Sequence, residues 1–316
     1  MRFFRGGGGA GTGPTPEQLA RAERSRQMVE AGGIPLEAQE RIQRQSESRG
    51  AYTSDLSVDE LAALRAVGYR PLAMVLGSSL YRMGWISTGY NGMGGGFYGM
   101  NFGAMEPQEN TGLTSALREA RERAIRRLML EAQGLGAEGV VGVRLRINRW
   151  EWATGMAEFT VIGTAVAKDG HQRQGRPFTS TLSGQDMSKL LASGYEPVSL
   201  VMGASAYQAV AFFGGGMGRM GGIGVSAWSN QEVTSYSLAL HRAQDHGRRR
   251  LAQEAAEVGA SGVVGVEIES HILEFPTGSE TVGGRIVEWV ILGTAVSPLT
   301  NPPPLSRPKM VIPLRP

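Results

Sequence analysis

Two stretches of this chain are nearly the same: "LGAEGVVGV" from Leu135 to Val143 and "VGASGVVGV" from Val258 to Val266. The duplication extends well beyond them. "TSDLS" at Thr53 returns as "TSTLS" at Thr179, and Gly68, Tyr69, Pro71, Gly77 and Tyr81 return as Gly194, Tyr195, Pro197, Gly203 and Tyr207, all displaced by 126 residues. The displacement is 123 at the quoted stretches and 130 where "IGTAV" at Ile162 meets "LGTAV" at Leu292. A drifting displacement puts the length changes in loops and keeps the elements between them, so the 316 residues read as two copies of one unit. Each copy is long enough to bury a core of its own.

The unit can be read element by element. Ser57 with Glu60 forms a capping box before "VDELAALRAVGY", and Ser183 with Asp186 a weaker one before "MSKLLASGY", so each copy opens with a short helix. A strand follows, "PLAMVLGSSLY" or "PVSLVMGASAY", and then a Gly-rich loop. A long helix comes next. Its stripe of Leu113, Leu117, Ala120, Ala124, Leu128, Ala132 and Leu135 is matched by Tyr236, Leu240, Ala243, Gly247, Leu251, Ala255 and Val258, at spacings of three and four that face one side. Gly136 or Gly259 ends that helix. Strands over 140–150 and 157–166, or 263–273 and 287–296, close the unit as a hairpin. The fold class is therefore α+β: two tandem β-α-β-β domains, each a small, mainly antiparallel sheet covered by one long helix, with short helices added at the N-terminus. The expected boundaries are an arm over 1–50, repeats over 51–170 and 171–297, and a Pro-rich, polyproline II-like tail over 298–316.

The long helix, "LGA-x-x-VVGV", the hairpin and the terminal "GTAV" resemble the YbjQ family, also described as a heavy-metal-binding domain family, here present twice over roughly 71–168 and 197–297. The resemblance implies a dodecin-like subunit that assembles into pentameric rings, and hence, for a duplicated chain, five chains in two stacked rings.

Composition removes several function classes. There is no cysteine, so disulfides, thiolate nucleophiles and Cys-based metal sites are excluded, and a reducing compartment is expected. The net charge of +3 is carried by the ends: residues 1–50 hold +2 and residues 297–316 hold +3, which leaves the body at −2. That is no concentrated basic face, and nucleic acid is not expected as a partner. The charge-free segment from Met83 to Met105 has the length of a membrane span but carries eight glycines, too many for a helix in lipid. With no export signal at the N-terminus, the expected location is cytoplasmic. Neither paired carboxylates, nor a Ser-His-Asp order, nor a nucleotide fingerprint marks a catalytic site, so no enzyme activity, cofactor or catalytic residue is assigned.

Metal ligation finds little support in residue types. His171, His241, His246 and His271 are the four histidines; His241 and His246 are five apart on a helix and diverge, and read as surface residues. Met93, Met100, Met105, Met217 and Met220 offer thioethers for a soft ion, against the plainer role of adaptable apolar filling. Trp85, Trp150, Trp152, Trp228 and Trp289 read as core or interface packing. Two features carry more. Both repeats have a Gly-rich loop at one place, and its aromatic residues Phe97, Tyr98, Phe102, Phe212 and Phe213 are candidates to touch a partner protein, a membrane surface or a ligand; the plain alternative is a connector. On the second strand, outward Arg144 and Arg146 of the first repeat are replaced by Glu267 and Glu269 in the second. Either the two faces are separately solvated, or they meet and the sign difference selects unlike repeats. The resulting reading is a non-enzymatic, self-assembling ring or scaffold, with a small-ligand or heavy-metal storage oligomer as the alternative.

Overall fold

The computed structural model describes residues 14–47, 53–82, 106–149, 156–170, 175–212, 232–275, 282–302 and 304. Two helices come first, α1 (Pro16–Glu30) and α2 (Leu36–Glu47). The first repeat then runs α3 (Val58–Ala66), β1 (Tyr69–Arg82), β2 (Gln108–Glu109), α4 (Thr111–Gly134), β3 (Gly139–Arg149) and β4 (Met156–Lys168). The second follows with β5 (Phe178–Thr179), α5 (Gly184–Ala192), β6 (Tyr195–Phe212), α6 (Thr234–Glu257), β7 (Gly262–Phe275) and β8 (Val282–Pro298). The short helices start where the sequence marks them. Ser57 accepts from the Glu60 amide while the Glu60 side chain takes the Ser57 amide, and Ser183 accepts from the Asp186 amide.

Each repeat builds an antiparallel three-stranded sheet with its last strand in the middle, β1-β4-β3 and β6-β8-β7. The long helix lies across one face. Contact is closest where a glycine on the first strand admits the helix backbone: a Cβ on Gly77 would lie 1.9 Å from the Ala124 carbonyl oxygen, and one on Gly203 1.8 Å from that of Gly247. The two cores keep their volume by exchange. Phe159 on β4 faces a helix that carries Ala124, whereas its counterpart Trp289 on β8 packs directly against Gly247.

The repeated "VVGV" has a structural reason. The β3/β4 register slips between Val141 and Arg144, and the β7/β8 register between Val264 and Glu267, so each hairpin carries a bulge of one residue. Gly142 and Gly265 sit in those bulges at φ 63° and 60°, a backbone conformation that side-chain-bearing residues adopt only at a cost.

The order within each sheet shows what the linear pattern hides. β2, which belongs to the first repeat, pairs antiparallel with β6 of the second, and β5, which belongs to the second, pairs parallel with β3 of the first. The repeats thus exchange edge strands, and the boundary near residue 170 is crossed in both directions. Packing follows the same plan. Leu200, Met202, Ala204, Ala206, Ile286, Val290 and Leu292, on the face of the second sheet turned away from α6, join one core with Leu113, Leu117 and Leu128 of α4. The second sheet is covered on both faces, by α6 and by the first repeat. The N-terminal helices dock on the first repeat, where Ile42 meets Gly134 and Arg41 pairs with Glu131.

Candidate functional site

Among the described residues a dense polar constellation lies along the seam between the repeats. Its first part is built around β2. The Asn110 amide donates to the Ala206 carbonyl at 2.8 Å, and the Ala206 amide donates to Thr114 Oγ1 at 3.1 Å, so the start of α4 is tied to the edge of β6. Asn110 also caps α4 through Oδ1, which takes the Leu113 amide at 3.0 Å. Glu109 Oε1 is 2.7 Å from Arg250 and accepts from Thr114 at 3.1 Å, and its other oxygen is 3.4 Å from His246 Nδ1. Burial works to raise the Glu109 carboxyl, but Arg250, Thr114 and His246 overcome it and hold it below the ordinary carboxylate range. Tyr207 completes the cluster with its hydroxyl 3.0 Å from His246.

Deeper in the seam two ion pairs cross between repeats. Arg121, 3% exposed, presents both terminal nitrogens to Glu254 Oε1 at 3.0 Å, while Glu254 Oε2 accepts the Met202 amide at 3.1 Å. Arg149, at the end of β3, pairs with Glu288 in the middle of the second sheet. Burial drives the Glu288 carboxyl upward, with Arg149 acting against it.

The last part is the segment around β5. The Phe178 amide donates to the Glu138 carbonyl at 3.1 Å, Ser180 to Val140 at 2.9 Å, Val143 to Ser180 at 2.8 Å and Gly142 to Leu182 at 2.9 Å. The bulge at Gly142 turns these amides toward the incoming segment. Ser180 and Thr181 also reach back to Thr294 of their own sheet, at 3.2 and 2.9 Å, so the segment joins both sheets.

The residues singled out from sequence fall in several places. Phe97, Tyr98, Phe102 and Phe213 lie outside the described residues, as do the five loop methionines, His171, Trp85, Trp150, Trp152 and Trp228; Phe212 ends β6. Arg144 is engaged within its own repeat by Asp55 at 2.6 Å, and Glu269 lies 3.8 Å from His271. Among the described residues the chain does not bring Arg144 or Arg146 to Glu267 or Glu269. His246 is not the surface histidine the sequence suggested: its half-buried ring stands in the Glu109 cluster. Among the described residues no three His, Asp or Glu converge as metal ligands, and no helix is long and apolar enough to cross a membrane. The seam residues Glu109, Arg121, Glu254 and Glu288 were missed from sequence. Their immediate neighbours include Gln108, Asn110, Glu122 and Gln253, so nothing local set Glu109, Arg121 or Glu254 apart from solvated charges.

A family model described as putative heavy-metal-binding matches residues 100–169 and again 210–298. The chain belongs to the YbjQ family. Its two matched regions fall one on each copy of the repeated sequence. The chain is also similar to an encapsulin nanocompartment protein of Mycobacterium tuberculosis, 36% identical over 261 residues that cover 80% of this chain and 88% of that protein. Shorter matches reach UPF0145 proteins. The one from Psychrobacter arcticus is 42% identical over 66 residues, 21% of this chain and 40% of that protein. The one from Methanococcus vannielii is 47% identical over 53 residues, 17% of this chain and 49% of that protein. The chain thus aligns with about half or less of each UPF0145 relative, but with most of the mycobacterial one.

Proposed function

We propose that this chain is a non-enzymatic, self-assembling scaffold or shell component that works with a protein nanocompartment in the cytoplasm. The observation that carries the reading is the two-way exchange of edge strands between repeats, which uses one edge of each sheet and, among the described residues, adds no strand to the other, in a chain similar along most of its length to an encapsulin nanocompartment protein. A sheet edge left open is a template for another chain. A heterologous contact of this kind closes into a ring when its rotation permits, and five chains is the count the family resemblance implies. The Gly-rich loops with Phe97, Tyr98, Phe102, Phe212 and Phe213 are the surface the assembly offers to a partner protein, a membrane surface or a ligand. Arg144 and Arg146 of one chain against Glu267 and Glu269 of another form a second, weaker contact.

Native mass spectrometry of the purified protein tests the reading. A discrete closed oligomer is expected; a stable monomer of 33.7 kDa at micromolar concentration overturns it.

A further inference from the structure

The seam between the repeats is head-to-tail. The first repeat offers β2, the start of α4 and the β3 edge; the second receives these with the β6 edge and returns β5. A contact of this kind leaves a donor surface unused on the second repeat and an acceptor surface unused on the first. Both are visible as positions that are buried in one repeat and exposed in the other.

The unused donor surface follows β7, which among the described residues is an edge strand where its counterpart β3 is not. Val143 is 1% exposed and its counterpart Val266 46%; Leu145 is half-buried and its counterpart Ile268 is exposed. The unused acceptor surface is the face of the first sheet turned away from α4. Ala206 is fully buried and its counterpart Leu80 is 56% exposed; buried Leu200 corresponds to exposed Met74. Beside Leu76 to Tyr81 opens a cleft of roughly 820 Å³, walled by Arg123, Arg127 and Glu131 of α4 and, on its other side, by the N-terminal helices through Val29, Ala38 and Arg41. The same place on the second repeat, beside Met202 to Tyr207, holds β2 and the first turns of α4.

We propose that the two unused surfaces bind each other between chains, so that the second repeat of one chain docks on the first repeat of the next by the contact the two repeats make within a chain. The partner is thus a second copy of this chain, which rests on the self-assembly reading and gives it a register. Thr53 to Leu56 add along Val263 to Val266 as Thr179 to Leu182 add along Val140 to Val143. The two segments already share chemistry, since Ser54 bonds Thr164 on its own sheet at 3.0 Å as Ser180 bonds Thr294. Thr179 and Ser180 are buried in the intrachain contact, whereas Thr53 is exposed and Ser54 half-buried, awaiting the same cover. At the other edge Glu232 takes the place of Glu109. It enters the cleft toward Tyr81, Arg123 and Arg127, the counterparts of Tyr207, His246 and Arg250. Arg127 donates to the Ser78 carbonyl as Arg250 donates to that of Ala204, but in the single chain burial and the neighbouring Arg123 both weigh on its charge. An incoming carboxylate answers both. Further along, α2 already stands on the first repeat where α4 stands on the second, since Arg41 takes Glu131 as Arg121 takes Glu254; an incoming α6, which carries the neutral Gln244 in place of Arg121, has to pack beside α2 there. The repeats then alternate around one ring, in place of the two stacked rings the duplication suggested, and every ring closed by this contact holds an even number of repeats.

The absence of native cysteine allows a direct test. Thr53→Cys with Val263→Cys places the pair at facing positions of adjacent strands, within disulfide reach. Mild oxidation is expected to give a non-reducible-by-heat, dithiothreitol-sensitive ladder at multiples of the 33.7 kDa chain, with either single variant giving none. Leu80→Asp and Ile268→Asp alter exposed positions, so the circular dichroism of the chain should be kept while its native mass falls to the monomer. A wild-type oligomer that shows no ladder and survives both Asp substitutions overturns this interface and leaves self-assembly standing. A wild-type monomer overturns both.

Discussion

Removing the buried cation Arg121 puts the seam itself under test. Arg121→Met keeps an apolar stem of similar length and removes two nitrogens that hold Glu254 at 3.0 Å. A hydrogen bond to a charged group contributes about 1.5–3 kcal/mol, and breaking one side of a buried ion pair costs about 3–5 kcal/mol. Glu254 is not stranded, because it is partly exposed and keeps the Met202 amide at 3.1 Å. The expected loss is therefore about 2–3 kcal/mol, below the range for a fully buried partner. Glu254→Gln retains an acceptor for Met202 and removes the charge, and the double variant closes a cycle whose coupling energy isolates the pair. Urea denaturation at one fixed protein concentration is the assay, since assembly adds apparent stability by mass action. A coupling of about 1.5 kcal/mol or more is expected. A value below about 0.5 kcal/mol, the worth of an exposed pair, would mean that the repeats do not pack through α4 and β6 as described.

Gly203→Ala should prevent α6 from seating, because the new methyl would lie 1.8 Å from the Gly247 carbonyl oxygen; loss of the cooperative thermal transition checks this. Acid should loosen the seam through Glu109. Its folded carboxyl titrates below the ordinary value of 4.5, so its contribution is complete above that value and is lost as the pH falls through the lower folded value; Glu109→Gln should flatten the acid limb of melting temperature against pH. The difference between the two proteins is the quantity to read, because the raised carboxyls of Glu131 and Glu288 contribute with the opposite sign in both. Deleting residues 91–103 should leave the oligomer intact and abolish liposome or partner binding; unchanged binding removes the loops from the proposal. Reversing Arg144 and Arg146 to Glu should weaken association between assemblies, and adding Glu267→Lys and Glu269→Lys should restore it, as light scattering would show.

Much of the fold was legible because it is written locally. The boxes at Ser57 and Ser183 depend on residues three apart, the helix stripes on spacings of three and four, and the bulge glycines recur at one place in both copies. The seam was not legible in the same way. β2 and β5 are two residues each, too short for any alternation, and nothing near Gln108 or Phe178 names a partner about 100 or 40 residues away. Arg144, Arg146, Glu267 and Glu269 on the second strands are exposed, and Arg144 is engaged by Asp55 in its own repeat.

The sequence by itself determined that there are two copies, that each carries a short helix, a long helix and three principal strands, and where the short helices are capped, since these depend on backbone propensity and side-chain period over a few residues. Only the tertiary structure decided which edge receives which strand, and that Glu109, Arg121 and Glu288 face cations instead of water. Strand addition is set by unpaired amides and carbonyls that every residue type carries alike, so the choice of partner rests on which surfaces meet in space.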